Sequence, residues 1–204
     1  MKVRRTFLLS EKERLDLLKV KEDYPIMEAE VFQGQGIKGG VRTQSRDTNR
    51  YGIECHNFNP KLLQKFTDFV NEEGIVANQT DYLEYGEGQF FEIHQDSRGH
   101  INDPNEATGR MWSTSTLIDQ TDDLEGGELL LYGPHINNVK NNRPMRIDLQ
   151  VGETVFFPSH YYHEVTPVTK GLRTALVVWL GDTQKGIHRR RTRVEKKNEG
   201  ATFL

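Results

Sequence analysis

Two histidines and one aspartate have the types and spacing of a ferrous-ion site. His94 and Asp96 are separated by one residue, and His163 follows 67 residues after Asp96. Two imidazole nitrogens and one carboxylate oxygen can occupy one face of Fe(II) and leave the opposite face open for small molecules. A structural zinc site would instead need a fourth protein ligand. The three residues therefore predict a catalytic ferrous centre and an enzyme.

A fixed positive charge follows the second histidine at a distance of ten residues. Arg173 begins an apolar run, residues 174–180, where a cation is costly to bury unless it meets an anion. Arginine is a rigid, two-pronged donor that matches a carboxylate. We expect its partner to be the distal carboxylate of 2-oxoglutarate, an organic diacid co-substrate. Tyr85, nine residues before His94, is either a second contact to this co-substrate or an aromatic residue of the core.

His160 is the alternative to His163 as the distal ligand, because it lies only three residues earlier. We prefer His163 since its distance to Arg173 fits a site that binds both metal and co-substrate. The remaining histidines have no second partner at metal-ligand spacing, and surface or loop positions are expected for His56, His100, His135 and His188.

Composition limits the classes of protein to which the chain can belong. Its 27 basic and 30 acidic residues leave a net charge of −3, which disfavours nucleic acid or a membrane surface as partner. No stretch approaches the roughly 20 apolar residues of a membrane span. The single cysteine, Cys55, excludes an internal disulfide framework and suits a reducing compartment. Together with an N-terminus that lacks a signal-peptide pattern, these features predict a cytoplasmic protein.

Helix signals are confined to the first third of the chain. Ser10 and Glu13 form a capping-box pattern, which predicts a helix of about a dozen residues ending before Pro25. A second helix is expected after Asn59, with Pro60 in its first turn. Residues 33–50 between them are rich in glycine and polar residues and predict a loop.

From about residue 80 the pattern changes to short β-type runs separated by turn signals. The eight runs are residues 80–85, 89–94, 111–119, 127–132, 146–150, 154–157, 161–165 and 173–180. They predict a mainly β protein with flanking helices and a double-stranded β-helix, or jelly-roll, core. We expect a single domain, with residues 1–79 packing on a catalytic core of residues 80–184 and residues 185–204 forming a basic tail.

The jelly-roll prediction gives the candidate residues definite positions. Residues two apart on a strand point the same way, so His94 and Asp96 would both face the interior if the chain stays extended. His163 would face them from a distant strand, and Tyr85 would lie on the strand next to His94. Gly86 and Gly88 would allow the sharp turn between these two strands.

Three blocks of sequence resemble the 2-oxoglutarate/Fe(II)-dependent dioxygenase superfamily, and in particular its prolyl 4-hydroxylase-like branch. Residues 85–96 are similar to the strand pair of that branch that carries Tyr, Gly and His-x-Asp, and residues 124–129 to its Gly-Gly-Glu-Leu turn. Residues 151–173 resemble the second ligand block of bacterial PKHD-type hydroxylases. Two residues depart from the pattern of the family: many members resembling this chain have tyrosine at the position of Phe91, and some have tyrosine at that of Leu117.

The resemblance implies both the site and the reaction. It implies His94, Asp96 and His163 as iron ligands, Arg173 as partner of the distal 2-oxoglutarate carboxylate, and Tyr85 as a second contact. The expected reaction is hydroxylation of an unactivated C–H bond by dioxygen, with a prolyl residue of a peptide or protein as the leading candidate substrate. A free amino acid or small metabolite is the alternative substrate, and a requirement for ascorbate is left open.

Two other classes of protein remain as alternatives. A non-catalytic jelly-roll binding module would keep the fold, although loss of a metal ligand or of Arg173 would then be expected. A cupin-type isomerase or dioxygenase without 2-oxoglutarate would leave Arg173 without a partner. The basic run at residues 185–197 is interpreted as a solvated end, with docking to an acidic partner or nucleic acid as the minority interpretation.

Overall fold

The computed structural model describes residues 3–19, 26–27, 46–51, 58–97, 109–134 and 143–182. Residues 33–45 of the predicted loop and all of the basic run at 185–197 lie outside the described residues. The loop prediction is wrong at its described end, where Arg46–Asp47 and Asn49–Tyr51 are strands that pair with the sheets. The predicted division into residues 1–79, 80–184 and 185–204 stays a prediction.

Strands predominate along the described residues, and both of the helices found there precede the long strand β5. In chain order the elements are β1 (Arg4–Phe7), α1 (Glu11–Leu18), β2 (Ile26–Met27), β3 (Arg46–Asp47), β4 (Asn49–Tyr51), α2 (Pro60–Val70), β5 (Ile75–Tyr85), β6 (Phe90–His94), β7 (Arg110–Gln120), β8 (Glu125–Gly126), β9 (Leu129–Gly133), β10 (Met145–Ile147), β11 (Glu153–Pro158), β12 (Tyr162–Val165), β13 (Val168–Lys170) and β14 (Arg173–Asp182).

Two antiparallel sheets form the body of the protein. The first has the strand order β1-β11-β7-β14-β5-β4-β2, and the second has the order β10-β9-β12-β6-β3. The successive strands β5, β6 and β7 alternate between the two sheets, and so do β11, β12 and β14. Apolar side chains of both sheets form one buried cluster, which includes Leu83, Val155, Leu129, Leu131 and Val165. The two facing sheets confirm the predicted jelly roll.

A second apolar core lies on the other side of the larger sheet, where the helices pack. Helix α2 begins with Asn59, whose side-chain oxygen accepts hydrogen bonds from the backbone of Lys61 and Leu62 at 3.0 and 3.3 Å. Its buried face, centred on the fully buried Phe66, packs against residues of the larger sheet such as Phe156. Strands β7, β11 and β14 are therefore covered on both faces, which explains their nearly continuous burial.

The predicted strands are confirmed, with small changes of length. The eight runs correspond to β5, β6, β7, β9, β10, β11, β12 and β14. Strand β5 begins at Ile75, five residues earlier than expected, and β10 ends at Ile147. Strand β1 was not predicted, because half of its four residues are arginines. It pairs with β11, and Arg5 there binds Glu153 through two hydrogen bonds of 2.8 and 2.7 Å.

The capping box predicted at Ser10 is present, but the helix is short. Both the Ser10 side chain and the Glu13 side chain make their expected bonds. Helix α1 spans Glu11–Leu18, and the expected extension toward Pro25 falls largely on residues outside the described part of the chain. Within the described ranges the structure contains no helix long and apolar enough to cross a membrane. The cytoplasmic location stays a prediction.

Glu13 joins α1 to α2, and its ionisation should affect stability. Lys65 donates to both carboxylate oxygens at 2.7 Å, and the backbone and hydroxyl of Ser10 donate at 2.8 and 2.7 Å. The hydrogen bond from Lys65, followed by those from Ser10, lowers the pKa of Glu13 from the ordinary 4.5 to about 2. A depressed folded-state pKa stabilises the fold above pH 4.5 and loses this effect as the pH falls toward about 2.

We expect Glu13→Gln to lower the free energy of unfolding at pH 7 by no more than about 1 kcal/mol, because water screens this partly exposed pair. The difference from wild type should shrink as the pH is lowered from 5 toward about 2, where the wild-type carboxyl gains its proton. Chemical denaturation across this pH range measures the difference. The exposed Glu73 provides the control variant Glu73→Gln, which should keep the wild-type free energy of unfolding at pH 7. A difference in the free energy of unfolding between wild type and Glu13→Gln that stays constant from pH 7 to pH 3 would contradict a stabilising role of the ionised Glu13.

Candidate active site

The three predicted metal ligands meet between the two sheets. His94 ends β6, Asp96 follows two residues later, and His163 lies on β12. Strands β6 and β12 are antiparallel neighbours, and His163 pairs directly with His94. One ligand atom from each of the three residues lies within 4.8 Å of the others. The fold therefore brings together residues that are 67 positions apart in sequence.

Both imidazoles direct Nε2 toward the Asp96 carboxylate. His94 Nδ1 lies 2.7 Å from the carbonyl oxygen of Glu92, and His163 Nδ1 lies 3.0 Å from that of Tyr161. Because a carbonyl only accepts, Nδ1 is the donor in each ring, and in the neutral ring Nε2 carries the lone pair that can bind a metal. The two Nε2 atoms lie 3.8 and 3.5 Å from oxygens of the Asp96 carboxylate. This donor set fits an Fe(II) ion bound by two imidazoles and one carboxylate.

The Asp96 carboxylate is ionised at neutral pH although its side chain is only 7% exposed. Burial acts to raise its pKa, but His163 and His94 when protonated, the Arg110 guanidinium and a hydrogen bond from Ser113 hold the pKa of Asp96 below its ordinary value. The Ser113 hydroxyl donates to Oδ2 at 2.6 Å, and Arg110 Nη1 lies 3.7 Å from Oδ1. A metal ion can thus bind this carboxylate without first displacing a proton.

The ligand strand departs from the regular geometry that the spacing suggested. Strand β6 ends at His94, so Asp96 lies in the segment after the strand rather than on it. Against β12, His94 pairs with His163 and Phe91 pairs with Val165. The two pairs are three residues apart on β6 but only two residues apart on β12, so β6 contains one extra residue. The extra residue is a β-bulge, which re-aims side chains. As a result Phe91 stacks on His94, with ring centroids 3.6 Å apart and an angle of 19° between the rings.

Arg173 is a buried cation on the opposite sheet, 5% exposed. Its Nη2 donates to the Ser115 hydroxyl at 3.5 Å, and its guanidinium carbon lies 5.7 Å from the centre of the Tyr85 ring. Burial lowers the pKa of Arg173, and no carboxylate of the described residues forms an ion pair with it. A buried guanidinium without an ion-pair partner is costly, so this side chain is suited to bind an anionic ligand.

Tyr85 lies beside Arg173, but it reaches the site from a different direction than expected. It ends β5 and pairs directly with Arg173 across the larger sheet. Strand β6, which carries His94, belongs to the smaller sheet, so the two strands are successive in sequence but are not neighbours in one sheet. Gly88, with a φ of +82°, lies in the turn between them, in a conformation that favours glycine.

One cavity joins the metal ligands to Arg173. It is partly open to solvent. Its lining comprises Leu83, Tyr85, Phe91, His94, Asp96, Thr114, Ser115, Leu129, Phe157, His163, Val165, Arg173, Ala175, Val177 and Trp179. His160 is not part of this lining. Its ring packs edge-on against Tyr161, and its backbone carbonyl accepts a hydrogen bond from Gln95 at 2.6 Å.

Several polar residues of the site were not predicted from the sequence. Ser113 and Ser115 alternate along β7 and meet Asp96 and Arg173, respectively. Arg110 lies 3.8 Å above the Trp179 ring and also binds Gln79. The signal was the run of small polar residues inside an otherwise buried strand, which is unusual unless each hydroxyl has a partner. His56, His100, His135 and His188 lie outside the described residues.

Comparison with known proteins identifies similar chains. A sequence profile of the 2OG-Fe(II) oxygenase superfamily matches residues 80–181, half of the chain. A PKHD-type hydroxylase of Cupriavidus pinatubonensis is 30% identical over 166 residues, 76% of this chain and 68% of that protein. A PKHD-type hydroxylase of Caulobacter vibrioides is 34% identical over 103 residues, and the match spans 47% of this chain but only 40% of the relative.

A solved structure shares the fold. It is a prolyl hydroxylase from Trichoplax adhaerens in complex with a peptide fragment of the hypoxia inducible factor oxygen degradation domain. It superposes with a TM-score of 0.63 at 15% identity, covering 93% of this chain and 86% of that chain. At this identity the likeness concerns the fold.

Metal binding should separate His163 from its neighbour His160. Substitution of a metal-positioning residue typically weakens binding by about 10–100-fold, and loss of a direct ligand should cost at least as much. We therefore expect His163→Ala to lose Mn(II) affinity to that extent, while His160→Ala binds as wild type. Calorimetric titration of the metal-free variants measures this, with thermal unfolding as a check on folding. Equal losses in both variants would contradict the ligand assignment.

Proposed function

The chain belongs to the 2OG-Fe(II) oxygenase superfamily, and we propose that it catalyses 2-oxoglutarate-dependent hydroxylation of an unactivated C–H bond, with a prolyl residue of a peptide or protein as substrate. The observation that carries this proposal is the pairing of two features in one cavity. Three residues that could hold a ferrous ion lie on one side, and the buried cation Arg173 lies on the other. An oxygenase that uses a diacid as co-substrate requires both.

Each candidate residue has a definite role in the proposed reaction. His94, Asp96 and His163 would hold the iron, and Arg173 would bind the distal carboxylate of 2-oxoglutarate. Tyr85, in register with Arg173, would be a second contact at that end of the co-substrate. Iron held there would supply the oxidation, in which the substrate C–H bond, 2-oxoglutarate and dioxygen are converted to the hydroxylated product, succinate and CO2.

The protein contributes position and a cavity lined largely by apolar residues. The hydrogen bonds from Nδ1 of His94 and His163 to backbone carbonyls fix each ring, so that both Nε2 atoms keep one direction. Leu83, Leu129 and Val165 line the space between the triad and Arg173. Apolar walls limit the water around the reacting groups and strengthen the electrostatic contacts made there.

The proposed prolyl substrate is supported by the relatives and by the cavity lining. The relatives are named as PKHD-type hydroxylases, and the Trichoplax adhaerens structure contains a peptide. In this chain the Trp179 ring lines the cavity, and Arg110 stacks on it at 3.8 Å while lying 3.7 Å from Asp96. An indole face suits the apolar ring of proline, and a guanidinium can donate to a peptide carbonyl.

A free amino acid or small carboxylic acid is the second candidate substrate. The observation that favours it is the positive charge of Arg110 so close to Asp96, since a guanidinium also pairs with a carboxylate. The chemistry and the iron site would be the same, so only substrate screening separates the two.

Arg173 offers a sharp test of co-substrate binding. Loss of a charge-assisted hydrogen-bonded pair costs about 1.5–3 kcal/mol, so we expect Arg173→Gln to raise the KM for 2-oxoglutarate by about 10–100-fold. The KM of Arg173→Lys for 2-oxoglutarate should lie between those of wild type and Arg173→Gln, because lysine keeps the positive charge but lacks the planar guanidinium. Succinate production by anaerobically Fe(II)-loaded protein, started with oxygen, measures this. The exposed Lys170 of β13 supplies the control variant Lys170→Gln, which should keep the wild-type KM.

A stability measurement tests the same assignment without turnover. Because Arg173 is buried without an ion-pair partner among the described residues, removal of its charge should leave the ligand-free protein at least as stable as wild type. The stabilisation that 2-oxoglutarate gives to the Mn(II)-loaded wild type should be largely lost in Arg173→Gln. Retention of that stabilisation would show that another residue binds the distal carboxylate.

The substrate proposal is tested by comparing two groups of compounds. Proline-containing peptides and free amino acids would each be incubated with enzyme, Fe(II), 2-oxoglutarate and oxygen, with and without ascorbate. We expect a peptide to gain the mass of one oxygen atom and to raise succinate formation above the substrate-free rate. An Asp96→Ala enzyme serves as the inactive control. Hydroxylation of a free amino acid but of no peptide would contradict the prolyl-peptide substrate and support a free amino acid as the substrate.

A further inference from the structure

Two serine hydroxyls form a buried chain that ends on Asp96. The Ser159 and Ser113 hydroxyl oxygens are 2.9 Å apart, and Ser113 Oγ lies 2.6 Å from Asp96 Oδ2. Both serines have no exposed surface, and the Asp96 side chain is 7% exposed. Ser113 belongs to β7 of the larger sheet, whereas Asp96 follows β6 of the smaller sheet. The chain therefore connects the two sheets at the metal site.

The direction of the hydrogen bonds follows from the inventory of protons. The Ser113 hydroxyl has donor geometry toward both Asp96 Oδ2 and Ser159 Oγ, but it carries a single hydrogen. An ionised carboxylate can only accept and is the stronger acceptor, so this hydrogen bonds to Asp96. Ser159 Oγ, 2.9 Å away, contacts the same hydroxyl.

Ser159 also holds the backbone of the segment that carries Asp96. Its carbonyl oxygen accepts the backbone N–H groups of Asp96 and Ser97, each at 3.0 Å. Its own N–H donates to the carbonyl of Met111 at 3.0 Å. Because Asp96 lies beyond the end of β6, the ladder of the sheet does not define its orientation. The orientation of Asp96 depends instead on its contacts with Ser159 and Ser113.

We propose that Ser113 and Ser159 are positioning residues that hold the Asp96 carboxylate in one orientation and thereby set the affinity of the site for its metal. The inference rests on the proposed function, in which Asp96 is an iron ligand. Ser113 engages Oδ2, while Arg110 lies 3.7 Å from Oδ1 at its nearest nitrogen, beyond a hydrogen bond. The serine chain is therefore the directional restraint on this carboxylate, and Arg110 contributes charge.

A matched control lies two residues away on the same face of β7. Ser115 is buried like Ser113, at 6% exposure, but its hydroxyl contacts Arg173 rather than Asp96. Loss of the Ser115 hydroxyl should therefore leave the metal affinity unchanged. The comparison separates a specific contact with the metal ligand from a general effect of removing a buried hydroxyl.

Mn(II) titration of the metal-free protein, without 2-oxoglutarate or oxygen, tests the proposal. We expect Ser113→Ala to weaken Mn(II) binding by about 10–100-fold, the range for residues that orient a metal ligand. Ser159→Ala should weaken it by a smaller factor, because the Ser113 bond remains. The double variant should bind no more weakly than Ser113→Ala, since Ser159 acts through Ser113 and linked residues are not additive.

Two further variants complete the test. Ser113→Thr keeps the hydroxyl and should recover most of the Mn(II) affinity, which a purely structural role of the serine would not predict. Ser115→Ala should bind Mn(II) as wild type does. If Ser113→Ala fails to fold, Ser159→Ala alone decides, and wild-type Mn(II) affinity in that variant would overturn the proposal.

The remaining outcomes separate this inference from the function on which it rests. Wild-type affinity in Ser113→Ala, or losses that add fully in the double variant, would overturn the serine chain while leaving the iron site intact. A wild-type protein that does not bind Mn(II) would overturn the proposed function, and the serine chain with it.

Discussion

The antiparallel pairing of β6 with β12 is the contact on which the site depends. It sets His94 directly opposite His163 and so brings two imidazoles to one metal position. A shift of one residue would turn every side chain of the strand to the other face of the sheet. The bulge between Phe91 and His94 is part of this arrangement, because it directs both rings into the cavity and stacks one on the other. The remaining parts of the site are arranged around that pair.

Two buried charges of opposite sign lie in the space between the sheets, and their surroundings differ. Asp96 is surrounded by imidazoles, a guanidinium and a hydroxyl donor, which together offset its burial and keep it ionised. Arg173 has a hydroxyl and an aromatic ring as its polar surroundings among the described residues, and burial lowers its pKa. The asymmetry gives the cavity one end suited to a cation and one end suited to an anion. A metal ion and a diacid would occupy it in that order.

Polar residues of β7 connect these two ends. Ser113 reaches Asp96 and Ser115 reaches Arg173, so one strand of the larger sheet supplies a hydroxyl to each charge. Leu117, two residues further along β7 than Ser115, is a buried apolar residue at the position where the resemblance led us to expect tyrosine in some relatives. Phe91 likewise provides a ring without a hydroxyl. The two side-chain hydroxyls that reach Asp96 and Arg173 therefore come from serines of β7.

Residue types and their spacing were enough to predict the β-rich fold and the candidate residues that the fold brings together, because these depend on local alternation and side-chain chemistry. Eight strands and both helix starts could be predicted in this way, including the capping box at Ser10. Tertiary contacts were needed to establish that β5 and β6 belong to different sheets, that β6 carries a bulge, and that Ser113 and Ser159 meet at Asp96. These features arise between residues far apart in the chain. No local pattern records such contacts, since a buried serine has the same letter whichever partner satisfies its hydroxyl.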